Sequence, residues 1–243
     1  MLTLKSMKKK KVLLIQFRNK ELAEHEFNCV KGKILAKNVK LESFNAFTKA
    51  PAFKVLEIYD ALIFGGCGEF FVSQGNYSQQ NKILSLIKKA ADKNIPMLGL
   101  CFGFHLIGQA LGGEVIHDPE NKEVGTYKIS LTKAGQKNVL FKNIPKIFLA
   151  QEGHKDCLKK LPLGAVKLAS GRLCKNQAFQ IVGKQIYATQ FHPELSAGDV
   201  KTRLDFFKDI YTTKNNEYQR ILKRTKVTSI SEKVIQNFIA TFL

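Results

Sequence analysis

The sequence predicts an α/β fold built on a mostly parallel central sheet. Apolar, β-branched runs alternate with amphipathic helical segments through the first half of the chain. Glycines punctuate the ends of two of those runs, as strand-to-helix connections require. At 243 residues and 44% hydrophobic content, the chain is long enough to bury one large core.

Taken in order, KVLLIQF (11–17) reads as a buried strand. The lysines ahead of it imitate a secretory leader, but the apolar run is short, reaches Arg18 and lacks a small-residue cleavage site. The stretch 20–50 is ambiguous: Glu21 to Asn28 fits a helix, and Lys33 to Phe44 fits neither element cleanly. DALIFGG (60–66) is a second strand. In NKILSLIKKAADKN, Ile83, Leu84, Ile87, Ala90 and Ala91 share one helical face, with Asn81 as a candidate cap. IPMLGL (95–100) is a third strand, entered through Pro96. Residues 60–100 thus form a strand–helix–strand crossover, expected to be right-handed.

Beyond residue 101, Phe102, Leu106, Ile107, Ala110 and Leu111 recur at helical spacing. Short strands follow: GTYKISLT (125–132), GAVKLAS (164–170), NQAFQIV (176–182) and KQIYATQF (184–191), with Gly183 turning between the last two. Near the end, Ser229 and Glu232 have capping-box spacing. Ile230, Val234, Ile235, Phe238, Ile239 and Phe242 form an apolar stripe suited to docking. No repeat or linker divides the chain. It reads as a single domain over 1–243, with a core over about 12–211 and a helical extension over 214–243.

The formal charge is +19, yet only five of the 39 basic residues are arginine, the side chain preferred for bidentate phosphate and base contacts. Apart from Lys8 to Lys11 the lysines are spread out, without interleaved aromatics. This suits solvated lysine faces, and nucleic acid is not an expected partner. No run of about eighteen apolar residues suggests a membrane span. Five cysteines without a C-x-x-C pair argue against a disulfide framework and for a reducing, cytoplasmic setting. No metal-ligand cluster appears at a recognised spacing, and neither metal nor cofactor is expected.

One stretch carries chemistry. In PMLGLCFGFHLIGQALGG, Cys101 follows a strand directly, precedes a helix and has Gly99 and Gly103 two residues away on each side. A nucleophile elbow needs this spacing, because a sharp strand-to-helix turn leaves no room for flanking side chains. The helix N-terminus favours thiolate over thiol, and the Phe102 N–H is placed to meet a developing oxyanion. Taken alone, G-x-C-x-G fits a buried structural thiol as well. His192, in YATQFHPEL, again ends an apolar strand, and Glu194 is positioned to orient its ring, which would complete Cys–His–Glu.

G-L-C-F-G with a downstream Q-F-H-P-E resembles the class I glutamine amidotransferases. DALIFGGCGEF resembles that family's glycine-rich oxyanion strand, and ENKEVGTYKISLT its E-x-G-x-Y segment. GHKDCLKKLPLGAVKLASGRLCKNQAFQ resembles its H-x-D…LP-x-GA…LA-S…NQAF stretch. The likeness runs over roughly residues 12–211 and is strongest to free-standing proteins similar to the amidotransferase domain of GMP synthase. It implies a flavodoxin-like three-layer sandwich. It also implies hydrolysis of the γ-carboxamide of glutamine through a γ-glutamyl thioester on Cys101, with His192 as base and acid and Glu194 orienting it. Backbone N–H groups of Gly66 and Phe102 would form the oxyanion hole, and His105, Gly153, His154 and Asp156 would shape the substrate pocket.

Two departures bear on substrate. His105 stands where the family usually has a glutamine, and Cys67 and Glu69 replace the residues common after the glycine pair. γ-Glutamyl peptide hydrolysis, and a binding or regulatory role on the same scaffold, therefore stand beside glutamine hydrolysis. With no P-loop and no length for a synthetase domain, either a separate synthase subunit receives the ammonia or the enzyme simply hydrolyses γ-glutamyl bonds.

Overall fold

The computed structural model describes residues 9–212 and 216–243; Lys8 of the basic cluster and residues 214–215 of the expected extension lie outside them. The strands are β1 (Lys10–Gln16), β2 (Val39–Asn45), β3 (Ala61–Phe64), β4 (Met97–Leu100), β5 (Glu114–His117), β6 (Glu123–Leu131), β7 (Ile147–His154), β8 (Asp156–Lys160), β9 (Ala165–Ser170), β10 (Ala178–Ile181) and β11 (Ile186–Thr189). The helices are α1 (Lys20–Lys33), α2 (Val55–Ile58), α3 (Gln80–Asp92), α4 (Phe102–Ala110), α5 (Lys133–Lys137), α6 (Ala197–Phe206), α7 (Lys208–Tyr211), α8 (Glu217–Arg224) and α9 (Lys233–Phe242).

Among the described residues, nine strands form one sheet in the order β2-β1-β3-β4-β11-β10-β9-β6-β7, and β5 pairs with β8 in a second, two-stranded sheet. From β2 to β11 every pairing is parallel. From β11 to β7 every pairing is antiparallel. The parallel half has the doubly wound order 2-1-3-4-5 when β11 is counted as its fifth strand, and its switch point lies between β1 and β3. Ligand sites in such sheets gather at the carboxyl ends of the strands, where Arg18, Gly65–Cys67 and Cys101 emerge.

Alternation along β1 builds the layers. Leu13 and Ile15 join a core with Ile83 and Ile87 of α3 and Phe102, Phe104 and Leu106 of α4. Val12 and Leu14 face the other way, onto Val30 of α1 and Val234, Ile235, Phe238 and Ile239 of α9. The stripe expected in the last helix thus closes one face of the sheet. Each such buried aliphatic side chain contributes about 1.5–3 kcal/mol.

The structure corrects several local expectations. α3 begins at Gln80, so Asn81 lies in its first turn rather than capping it. The Ser229–Glu232 capping box does not form, because Ser231 N–H closes a tight turn on Thr228 O and Glu232 pairs with Lys33 Nζ at 2.8 Å. A capping box is present instead at α6, between Ser196 and Asp199. Cys157 and Cys174 form a disulfide, which joins β8 to the turn before β10 across 17 residues. Cys29, Cys67 and Cys101 remain free and buried. Among the described residues no helix is long and apolar enough to cross a membrane.

Candidate active site

Cys101 sits between β4 and α4 at φ +52°, ψ −97°, a left-handed conformation rare outside glycine. The strand below holds it in place: Cys101 N–H donates to Thr189 O at 2.9 Å, and its own carbonyl accepts from His105 N–H at 3.1 Å. The flanking glycines are steric necessities. A Cβ on Gly103 would stand 2.2 Å from Phe64 O, and one on Gly99 would stand 2.7 Å from Gly103 O. The bend therefore closes only with bare backbone on both sides.

β11 delivers the second group. After Thr189 the chain passes through Gln190 to His192, whose N–H donates to Gln151 O of β7 at 2.8 Å. His192 Nδ1–H donates to Glu194 Oε1 at 2.7 Å, which leaves Nε2 turned toward Gly153. Arg203 Nη1, on α6, donates to the same Glu194 oxygen at 3.2 Å. His192, Arg203 and nearby backbone hold the buried Glu194 carboxyl down at about 2, against the desolvation that opposes its charge. Burial lowers the His192 pKa, only partly offset by Glu194, so the resting ring is neutral at pH 7.

The thiol rests apart from this pair. Cys101 S–H donates to Gly153 O over 3.7 Å, and Gln190 Nε2 lies 3.9 Å from the sulfur. Burial, reinforced by Glu152, pushes the thiol pKa up. Gly153 joins the halves of the site, because its carbonyl also accepts from Tyr211 Oη at 3.0 Å. A cleft lined by Cys67, Phe70, Phe71, Cys101, Phe102, His105, Gly153, His154, Asp156 and Tyr211 opens on one side of the sulfur. A second cavity, of about 40 Å³, lies past His192 among Arg18, Glu152, Leu195, Arg203 and Phe207. That volume holds a few water-sized molecules.

Several expected residues have other work. The Gly66 N–H is not free, because it donates to Glu26 Oε1 at 2.9 Å within a fully buried Arg18–Glu26 ion pair. This corrects its reading as a ready oxyanion donor; Phe102 is the first residue of α4. Asp156 is spent on Ser73 N–H and Oγ, at 3.0 and 2.7 Å, and on His117 Nδ1 at 2.9 Å. His154 Nδ1–H donates to Asp156 O, and its Nε2 faces Glu123 at 3.2 Å. Both therefore shape the cleft wall from within. His105 Nε2–H donates to Gln190 Oε1 at 2.7 Å, and burial lowers its pKa to about 4, so a neutral ring stands near the thiol.

Arg18, Glu26 and Arg203 escape sequence reasoning, since buried charges far apart in the chain leave no periodic signal. Two clusters of the described residues bring potential metal ligands together: Glu123, Glu152 and His154, and His25, Cys29 and Asp199. In the first, Gln177 Nε2 already donates to Glu123 at 2.7 Å. Burial and the Glu123 charge drive the Glu152 carboxyl well above the usual range.

A family model described as glutamine amidotransferase class-I matches residues 29–210. One subunit of the glutamine-hydrolysing GMP synthase of Methanocaldococcus jannaschii is 38% identical over 115 residues, covering 47% of this chain and 59% of that relative. The corresponding subunit from Archaeoglobus fulgidus is 31% identical over 140 residues, covering 58% and 69%. The chain thus spans a little over half the length of the first of these relatives. Among solved structures, a Thermotoga maritima glutamine amidotransferase superposes with a TM-score of 0.75 at 22% identity, covering 96% of each chain. A Methylobacillus flagellatus glutamine amidotransferase gives 0.71 at 18% identity, with the same coverage of both chains. These superpositions establish the fold.

Proposed function

The chain belongs to the class I glutamine amidotransferases, and from this premise we propose that it hydrolyses the γ-carboxamide of glutamine through a thioester on Cys101. The observation that carries the reading is the strained cysteine at the strand–helix junction, whose cleft shares Cys67, Gly153 and Tyr211 with the cavity lined by His192, the partner of Glu194. In the proposed cycle the Cys101 side chain swings from Gly153 O toward His192 Nε2, which takes the thiol proton. The thiolate adds to the amide carbon, and Phe102 N–H stabilises the oxyanion. Collapse expels ammonia, protonated by His192. Water, deprotonated by the same ring, then cleaves the thioester and releases glutamate.

Glu194 orients His192 and stabilises its charged form; Arg203 fixes Glu194 in turn. Neutral His105 positions Gln190 beside the sulfur, and Phe70, Phe71 and Tyr211 narrow the cleft to a small amide substrate. Because relatives are named as one subunit of a synthase, a separate synthase subunit is the proposed receiver of ammonia. The proposed setting is cytoplasmic; Cys29, Cys67 and Cys101 are free thiols, and the Cys157–Cys174 disulfide is an exception to what a reducing compartment favours. The chain is read as one amidotransferase domain, with α8 and α9 as its extension.

Ammonia release from glutamine, with γ-glutamyl peptides as a parallel substrate, tests the reading. The wild type is expected to turn over glutamine and to lose Cys101 to an electrophilic glutamine analogue. Cys101→Ala is expected to fall at least about 10³-fold. Turnover that survives Cys101→Ala overturns the mechanism, and preference for γ-glutamyl peptides overturns the substrate.

A further inference from the structure

Outside the cleft, α1 and the first turn of α6 bring a thiol, an imidazole and a carboxylate to one point. His25 and Cys29 are four residues apart on α1 and so share a helix face. Asp199 is the third residue of α6. His25 Nε2 lies 3.2 Å from Asp199 Oδ1 and 3.7 Å from Cys29 Sγ, and the three donor atoms are all within 4.8 Å of one another. Zinc bonds of about 2.0–2.3 Å at tetrahedral angles separate neighbouring ligand atoms by about 3.3–3.6 Å. The His25–Asp199 and His25–Cys29 separations lie close to that frame, and the third pair is within 4.8 Å. We propose that His25, Cys29 and Asp199 form a three-ligand site for a zinc-class divalent cation.

The same contacts argue against a second nucleophilic triad. A relay needs the carboxylate on one ring nitrogen and the thiol on the other. Here Oδ1 lies 3.2 Å from Nε2, while Sγ is 3.7 Å from Nε2 and 3.9 Å from Nδ1, so the sulfur is not set on the nitrogen opposite the carboxylate. Asp199 is preset as a ligand, because Ser196 N–H and Oγ hold its Oδ2 at 2.8 and 2.6 Å and leave Oδ1 toward the cluster. The His25 and Asp199 side chains are 20% and 28% exposed, which gives an ion a route in and leaves a fourth position for water. Cys29 packs against Leu195 and Val200, so the ion would tie α1 to the segment that follows Glu194. The Arg203 guanidinium acts on the cluster from one side, but Glu194 and Glu26 offset it at 3.2 and 3.9 Å. On binding, the Cys29 thiol yields its proton to solvent and sulfur donates to the metal.

Cobalt(II) titration of the full chain tests the site without reference to glutamine turnover. One equivalent is expected to produce a thiolate-to-cobalt band in the near ultraviolet and tetrahedral visible bands, both erased by one equivalent of zinc. Cys29→Ser should lose the near-ultraviolet band, while Cys67→Ala and Cys101→Ala keep it. Zinc should raise the melting temperature of the wild type but not of His25→Ala, which keeps the Cys29 thiol and its contacts with Leu195 and Val200. Absence of a saturable band, its survival in Cys29→Ser, or an undiminished zinc stabilisation in His25→Ala overturns the proposal.

Discussion

At His105 the ring donates to Gln190 Oε1, and Gln190 turns its amide toward the Cys101 sulfur. A buried imidazole in this place titrates with a definite sign. Its folded pKa of about 4 lies below the ordinary 6.5, so the unfolded chain binds the extra proton first. The His105 contribution to stability is complete above pH 6.5 and is lost as pH falls through about 4. Burial lowers His25 and His192 in the same direction, and the raised Glu152 works in the opposite one. A His105→Gln variant keeps all of these, so only the difference between the two proteins reports on His105. Urea unfolding across pH 7 to 4 should show the wild type losing stability more steeply than His105→Gln. Parallel curves would remove the buried neutral imidazole from the account.

Among the elements, the β4–α4 junction carries the tightest constraint, because α4 lies close enough to β3 that Phe64 O occupies the space beside Gly103. Gly103→Ala must push the helix off the sheet and move Cys101 with it. Overpacking of this kind costs about 1–3 kcal/mol, and the shift in the nucleophile should reduce kcat more than KM. Urea unfolding and steady-state kinetics on one preparation would separate the two effects; a variant that keeps wild-type kcat would mean that the elbow tolerates displacement. This junction was legible in the sequence, because glycines on both sides of a cysteine at a strand end, read together with the distant QFHPE, point to a sharp strand-to-helix turn. β1, β3, β4 and the apolar face of α3 were legible for a similar reason: central strands and a docked helix bury continuous or periodic apolar residues. β2 and β7 were not. They are the two edges of the sheet: half-exposed β2 mixes lysine, glutamate and serine with its apolar positions, and β7 runs from a short apolar start into a polar end of Gln151, Glu152 and His154. The His25–Cys29 spacing was visible in principle as an i, i+4 pair, but its partner Asp199 lies 170 residues further on from Cys29.

At the scale of the whole molecule, the Cys157–Cys174 bond links the small β5–β8 sheet to the main one near β10. Asn176 makes a parallel tie, with Nδ2 donating to Leu158 O at 2.8 Å. The connection bears on the cleft, since β8 begins at Asp156, which holds Ser73 and His117 and lies on the cleft wall. The arginine-poor surface charge has no comparable route to the site, whereas a cross-link between the two sheets does. A closed loop of this length restricts the unfolded chain by about 3 kcal/mol in the chain-entropy account. Cys174→Ser should therefore lower the unfolding free energy by about that amount under oxidising conditions and by little in a reductant that opens the wild-type bond. Loosening β8 frees the wall around the bound amide rather than Cys101 or His192, so KM for glutamine should rise while kcat stays near the wild-type value. Equal losses in kcat would place the disulfide's influence on the nucleophile instead, through Gly153, whose carbonyl holds the resting thiol.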